Sequence, residues 1–142
     1  CDLVLAARSA KFIQAFCKIG LVPDSGGTWF LPRLIGMARA KQLALLGEPL
    51  TAEQALEWGM IYRVTDDEAL RDEALVLARQ LATQPTMGLG YIKRALNDSV
   101  SNGFDEQLTL ERDLQRLAGR TDDYREGVAA FMAKRPAEFK GR

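Results

Sequence analysis

A single carboxylate, Asp24, stands in the small-residue segment Pro-Asp-Ser-Gly-Gly at positions 23–27. The two glycines let the main chain approach a ligand closely, because glycine has no Cβ. The apolar pattern that resumes at Thr28 predicts the start of a helix, whose positive end attracts a carboxylate. A carboxylate held in a cleft there can accept a proton from a substrate and return it. The structural alternative is that Asp24 only forms the turn or caps the helix.

The other side chains that could do chemistry are weaker candidates. The chain has no histidine, which excludes histidine-based triads and histidine-ligated zinc sites. Its two cysteines, Cys1 and Cys17, give neither a disulfide framework nor a metal-ligand spacing. Cys17 lies in an apolar run and is interpreted as a small core residue. The remaining acids fall mostly at predicted helix caps or on polar faces, so we expect no metal site.

Two aromatic residues, Trp29 and Phe30, follow the glycines directly. Side chains of this size wall apolar ligand pockets, and we expect Trp29 to line the site beside Asp24. Core packing is the alternative role for at least one of the two rings.

The composition is that of a globular chain with the length of one ordinary domain. Of 142 residues, 47% are hydrophobic and 27% are charged, which is enough to build a core. Nineteen basic and nineteen acidic residues cancel, so nothing favours binding to nucleic acid or to an anionic membrane. No stretch approaches the length of a transmembrane span. Without a recognisable secretory signal, the expected location is the reducing cytoplasm.

The beginning of the chain is unusual, because it opens on Cys-Asp-Leu-Val-Leu-Ala-Ala without an initiator methionine. Residues 3–6 predict a buried strand that is already under way at the first residue. A strand with no preceding partner leaves main-chain groups and an apolar face unsatisfied. We therefore expect the sequence to be the C-terminal part of a longer protein.

Strand-like sequence is confined to the first third of the chain and to residues 60–64, and helical patterns follow. Thr-Ala-Glu-Gln at 51–54 and Thr-Asp-Asp-Glu at 65–68 both fit the capping-box pattern. Apolar spacing predicts four later helices: over residues 70–81, from 86 through 96, over 104–117, and from Thr121 to before Pro136. Packing against another subunit and packing against the rest of a longer protein are both left open for these helices.

Three segments carry a resemblance to a known family. They are Leu-Val-Leu-Ala-Ala-Arg-Ser-Ala-Lys-Phe at 3–12, Gly-Leu-Val-Pro-Asp-Ser-Gly-Gly-Thr at 20–28 and Leu-Pro-Arg-Leu-Ile-Gly-Met-Ala-Arg-Ala at 31–40. Together they resemble the enoyl-CoA hydratase/isomerase (crotonase) superfamily. Residues 50–64 are similar to the family's next helix and strand, and residues 126–139 to its C-terminal signature.

The resemblance implies an α/β fold of the crotonase type. Residues 1–65 would hold the last strands and turns of its ββα spiral, together with the active-site turn. Residues 66–142 would form the helical C-terminal region through which the family assembles homotrimers, often paired into hexamers. A homologous hydratase is a further implied partner.

Within this family the position of the acid decides the reaction. Phe16 stands where hydratases carry one of their two glutamates, and a phenyl ring cannot hold or deprotonate water. Asp24 stands where isomerase members carry their acid. The resemblance therefore implies an acyl-CoA isomerase with Asp24 as its acid and base. It is nearest to the branch that rearranges ring-epoxide CoA thioesters in bacterial phenylacetate degradation and also shifts enoyl-CoA double bonds.

The resemblance also implies how the substrate is held. Pro23, Gly26, Trp29 and Phe16 would surround the acyl group, and Asp24 between apolar walls would be a better proton shuttle. The oxyanion-hole residues of the family lie mostly upstream of Cys1. Coenzyme A is part of the substrate, and no separate cofactor is expected.

Phe131 and Lys134 match family positions that contact the adenine end of coenzyme A. Their spacing predicts that both lie on one helical face. Without the resemblance, a core phenylalanine and a solvated lysine are the alternative interpretation.

Two other functions remain open. The chain could belong to a different enzyme of the same fold, such as a dienoyl-CoA isomerase or an enoyl-CoA hydratase. It could also belong to a non-catalytic subunit that binds coenzyme A or supports oligomerisation.

Overall fold

Four short strands and seven helices follow one another along the chain, and this computed structural model describes all 142 residues. The strands are β1 (Leu5–Ala7), β2 (Lys11–Phe12), β3 (Leu50–Thr51) and β4 (Arg63–Thr65). The helices are α1 (Gly27–Ile35), α2 (Met37–Leu46), α3 (Ala52–Glu57), α4 (Leu70–Ala82), α5 (Thr86–Asp98), α6 (Phe104–Ala118) and α7 (Asp122–Met132). None of these helices has both the length and the apolar character needed to cross a membrane.

The chain divides into two compact units, Cys1–Leu75 and Val76–Arg142, and the division falls inside α4. The first unit contains all four strands and the second contains most of the helical half of the chain. The predicted division between residues 1–65 and 66–142 assigns a role to each part. The two compact units do not test those roles, so this division stays a prediction.

The strands of the first unit form two small ladders. β1 pairs in parallel with β4, with Ala6 opposite Val64, and β2 pairs antiparallel with β3. The buried strand predicted at residues 3–6 is wrong at its start, because Leu3 is exposed and pairing begins at Leu5. The carbonyl of Val4 accepts the amides of both Tyr62 and Arg63, an irregular contact that precedes the regular register at Leu5.

One hydrophobic core lies between these ladders and the first three helices. Its buried members are Ala6, Leu31, Ile35, Ala40, Leu43, Leu50, Ala52, Ala55 and Ile61. Ala52 and Ala55 of α3 have no exposed surface at all, so α3 packs closely against its neighbours. Because α1 buries Leu31 and Ile35 here, the core fixes the helix that follows the Asp24 turn.

The two predicted capping boxes have different outcomes. The box at Thr51 is confirmed, since its hydroxyl accepts the amide of Gln54 at 3.2 Å and the Gln54 side chain accepts the Thr51 amide at 3.1 Å. The box at Thr65 is wrong, because Thr65 is the buried last residue of β4. Its hydroxyl donates to the Glu73 carboxylate at 2.6 Å instead of capping a helix.

The four later helices are confirmed as α4, α5, α6 and α7, with ends within a few residues of those predicted. The predicted cap at Thr121 is also confirmed, because its hydroxyl accepts the amide of Tyr124 at 3.1 Å. These helices keep many apolar side chains exposed, among them Ile92, Leu96, Phe104 and Phe131.

Candidate acid–base site

The Asp24 turn is shaped by two successive left-handed residues. Ser25 has φ 50° and Gly26 has φ 82°, which reverse the chain immediately before α1. The carbonyl oxygen of Asp24 accepts the amide of Gly27 at 2.8 Å, and that of Gly26 accepts the amides of Trp29 and Phe30, each at 2.9 Å. The turn therefore leads directly into the first turn of the helix, as the glycine pattern predicted.

The carboxylate of Asp24 is exposed and makes no hydrogen bond or ion pair within the chain. The residue that caps α1 is Gly26, and no side chain caps this helix. Asp24 therefore does not cap the helix, and its carboxylate has no hydrogen-bond or ion-pair partner within the chain. The expected enclosure between apolar walls is absent from this chain, because no residue of the chain buries the Asp24 side chain.

A side chain at Gly26 would be strained by the backbone and would crowd the ring of Phe30. A Cβ at this position would lie 3.0 Å from Cε2 of Phe30, and its φ of 82° disfavours every residue with a side chain. The backbone conformation thus favours glycine here. The predicted substrate contact of Gly26 stays a prediction.

A small apolar cavity of about 170 Å³ opens beside the turn. It is lined by Pro23, Gly27 and Thr28 from the turn and by Met37, Lys41 and Leu45 from α2. Of the predicted substrate contacts, only Pro23 lines this cavity. A cavity of this size accommodates one small apolar ring or a short alkyl group.

Trp29 does not line that cavity. Its side chain is exposed, and the Arg33 guanidinium lies 3.2 Å from the centroid of its ring. Arg33 also donates to the carbonyl of Trp29 at 2.9 Å, so the cation is fixed over one face of the indole. The sequence analysis missed Arg33, although its spacing of four residues from Trp29 is the signal of such a pair. The role of Trp29 beside the substrate stays a prediction.

Phe16 is half-buried in a 3₁₀ turn over Ala15–Ile19. Its carbonyl accepts the amide of Leu21 at 3.0 Å, which ties this turn to the segment that leads to Asp24. The side-chain oxygen of Gln14 would lie 3.9 Å from a Cβ at Gly27 and is buried without a hydrogen-bond partner. Phe16, which the resemblance aligns with a glutamate of hydratases, is thus a half-buried ring whose main chain contacts the segment before Asp24.

The two residues predicted to contact coenzyme A lie in the second unit. Phe131, in the last turn of α7, is 82% exposed. The prediction that Lys134 shares its helical face is wrong, because Lys134 lies beyond the end of α7 with φ 51°. Its amide donates to the carbonyl of Phe131 at 3.2 Å, so a tight turn rather than a helix joins them. The Lys134 ammonium makes no polar contact within the chain.

Phe131 also lines an apolar cavity of about 410 Å³ in the second unit. Pro85, Tyr124, Val128 and Phe139 contribute to the same cavity. Phe139 is not among the predicted site residues, because it reaches the cavity through a chain reversal that has no local sequence signal. Three aromatic rings thus meet at one apolar surface, which suits a flat ligand.

Comparisons with known proteins identify the family and the fold. The family model described as enoyl-CoA hydratase/isomerase matches residues 1–142. The 1,2-epoxyphenylacetyl-CoA isomerase of Escherichia coli is 65% identical over 141 residues, which is 99% of this chain and 54% of that protein. The 2,3-dehydroadipyl-CoA hydratase of Escherichia coli is 36% identical over 142 residues, which is 100% of this chain and 56% of that protein.

Solved structures show the same architecture. The enoyl-CoA hydratase of Bacillus anthracis superposes with a TM-score of 0.94 at 31% identity, covering 100% of this chain and 55% of that one. The chain spans about half the length of the curated relatives it matches. The crotonase-type fold predicted for this segment is confirmed.

Proposed function

This chain belongs to the enoyl-CoA hydratase/isomerase family, and we propose that the whole protein carrying it is an acyl-CoA isomerase. The favoured substrate is ring-1,2-epoxyphenylacetyl-CoA, which would be rearranged to its oxepin isomer in phenylacetate catabolism. A shift of the double bond in enoyl-CoA thioesters is the proposed second reaction. The similarity to an isomerase named for this epoxide supports the choice of substrate.

One observation favours isomerisation over hydration. The turn that leads into α1 offers a single unoccupied carboxylate, Asp24, while a phenyl ring stands at Phe16. One carboxylate is sufficient to move a proton between two carbons of the same substrate. Addition of water needs a second group that holds and deprotonates the water, and Phe16 cannot do so.

In the double-bond shift, the Asp24 carboxylate takes a proton from the carbon between the thioester carbonyl and the double bond. The electron pair of that C–H bond spreads over the thioester oxygen and the alkene as a dienolate. Main-chain amides of the whole protein, outside this chain, are proposed to stabilise the oxygen. Asp24 then returns the proton to the far carbon, so that the conjugated isomer forms and the carboxylate is restored.

The rest of the substrate is assigned to the remaining predicted contacts. Pro23, Gly26, Phe16 and Trp29 are proposed to surround the acyl group. Phe131 and Lys134 are proposed to meet the adenine end of coenzyme A, because an exposed ring and a free ammonium suit a base and its phosphates. Assembly into homotrimers or hexamers and a cytoplasmic location complete the proposal. No separate cofactor is required by this chemistry.

The test is a comparison of reactions on matched substrates. The purified whole protein is given epoxyphenylacetyl-CoA, a 3-enoyl-CoA and a 2-enoyl-CoA, and products are separated by chromatography. We expect isomerisation of the first two and slow hydration of the third. Hydration faster than isomerisation would contradict the proposal and favour an atypical hydratase, and no turnover of any substrate would favour a non-catalytic subunit.

A further inference from the structure

The residues after α7, 133–142, do not leave the helix but fold back along it. The amide of Arg135 donates to the carbonyl of Ala130 at 3.1 Å, which closes the reversal at the end of the helix. At the other end, the amide of Asp123 donates to the carbonyl of Arg142 at 3.0 Å. This segment, called here the C-terminal return, therefore runs from the end of α7 to its first turn.

Two carboxylates of α7 hold the C-terminal return. Asp123 is only 3% exposed, and its two oxygens accept the amides of Lys140 at 2.6 Å and Gly141 at 2.8 Å. One helical turn further on, Glu126 accepts the amide of Glu138 at 2.9 Å. Hydrogen bonds to an ionised acceptor are about twice as strong as neutral ones, so three such bonds fix the path of the return.

Glu126 is also paired with the residue next to Lys134. The guanidinium of Arg135 donates to both oxygens of Glu126, at 2.6 and 2.8 Å, and to the carbonyl of Pro136 at 2.9 Å. Since a guanidinium is planar and its donors have fixed directions, this pairing fixes the main chain beside Lys134. The Arg135 hydrogen bonds, and then the Glu138 amide, lower the pKa of Glu126 to about 2. The pair is therefore fully charged at neutral pH.

The C-terminal return also builds one wall of the aromatic cavity. Phe139 lies against α7 at Gly127, where a Cβ would be 3.5 Å from its ring. From there Phe139 faces the same cavity as Phe131 and Tyr124. Displacement of the return would therefore remove a ring from the cavity and release the turn that carries Lys134.

We propose that Glu126 and Asp123 are positioning residues for the nucleotide end of a CoA thioester. They do not touch the ligand but hold the C-terminal return, which supplies the Phe139 wall of the aromatic cavity and begins at the turn that carries Lys134. The inference rests on the proposed function, because it identifies the ligand as a CoA ester. A purine base matches the aromatic wall, and phosphate groups match the ammonium.

The experiment compares two thioesters of the same acyl group, one of coenzyme A and one of pantetheine, which lacks the nucleotide. The whole protein is assayed as wild type and as Glu126→Gln, with Asp113→Asn as the control. Asp113 forms a surface pair with Arg116 on α6 and does not contact the return. For Glu126→Gln we expect the KM of the CoA ester to rise about fivefold, equivalent to about 1 kcal/mol. Its kcat and the KM of the pantetheine ester should stay within about twofold of wild type.

Hydrogen exchange supplies a second measurement on the same variant, which should lose protection at the amide of Glu138. If Glu126→Gln does not fold, Arg135→Met removes the same pair from the other side and should give the same selective rise in KM. An unchanged KM for the CoA ester, or an equal rise for both esters, would overturn the positioning role. Absence of turnover by the wild type would overturn the proposed function itself and this inference with it.

Discussion

The carbonyl oxygen of Asp24 accepts the amide of Gly27 at 2.8 Å, so the main chain of Asp24 belongs to the turn while its side chain does not. The carboxylate does not cap the helix, so it is available for proton transfer without the loss of a capping hydrogen bond. A substitution of this side chain should therefore lower kcat without lowering the stability of the fold.

Asp24→Asn keeps the size of the side chain but removes its ability to take a proton. In the whole protein we expect kcat for isomerisation to fall at least about a hundredfold, the usual scale for a positioned acid or base. The unfolding midpoint should change little, because the side chain makes no contact to lose. The control is Glu48→Gln, an exposed carboxylate of the same unit, which should leave kcat unchanged. Near-normal kcat in purified Asp24→Asn would remove Asp24 from the mechanism.

Gly26→Ala should lower both the free energy of unfolding and the kcat of the protein. An alanine at φ 82° costs about 1–2 kcal/mol, and its Cβ would meet Phe30 at 3.0 Å. Because the positive φ of Gly26 shapes the turn that carries Asp24, and alanine disfavours this φ, we expect a lower kcat as well. Urea unfolding of the whole protein measures the first effect. Gly90→Ala, in the open middle of α5, is the control and should stabilise by about 0.5–1 kcal/mol. A stable, fully active Gly26→Ala would show that the turn tolerates a side chain.

The sequence predicted those features that depend on neighbouring residues. The capping box of Thr51 and the four later helices follow from spacing over three to four positions, which is the range over which helical side chains interact. The Asp24 turn was predictable for the same reason, since its glycines and the apolar run that begins the helix are adjacent in sequence.

Features that depend on distant partners were not predictable in this way. Thr65 has the same local pattern as Thr51, but β1 draws it into a parallel ladder, where it cannot cap a helix. The amides of Lys140 and Gly141 meet Asp123 from 17 and 18 residues away. No short-range pattern identifies that contact, and the same chain reversal places Lys134 beyond the helix on which its spacing predicts it.

Acid should release the C-terminal return. The pKa of Glu126 in the folded chain is about 2, below its ordinary value near 4.5, because Arg135 and the Glu138 amide favour the charged form. The stabilisation is therefore complete above about pH 4.5 and is lost as the pH falls towards 2. We expect the carboxyl resonance of Glu126 to titrate with a midpoint near 2, with loss of amide protection at Glu138. In Arg135→Met the midpoint should move upward, and a midpoint near 4.5 in the wild type would disprove the pairing.

The 142-residue chain on its own should be inactive as an isomerase. A thioester α-proton is weakly acidic, so the charge that develops on the thioester oxygen must be stabilised during its removal. Loss of a single oxyanion-hole donor typically costs about a hundred- to a thousandfold in kcat. From the family resemblance we expect those donors to lie mostly outside this chain, and Asp24 here is exposed to solvent.

Self-association should survive better than activity, because Ile92, Leu96 and Phe104 keep 57%, 65% and 78% of their surfaces exposed for apolar contacts. The purified chain is sized by light scattering and assayed for isomerisation beside the whole protein at equal molar concentration. We expect oligomers without measurable turnover. Turnover within about tenfold of the whole protein, a difference of only about 1.4 kcal/mol in barrier height, would mean that Asp24 needs no donors beyond this chain. In that case the amides that stabilise the thioester oxygen would have to be sought elsewhere in this chain than at Gly27, whose amide already donates to the carbonyl of Asp24 at 2.8 Å.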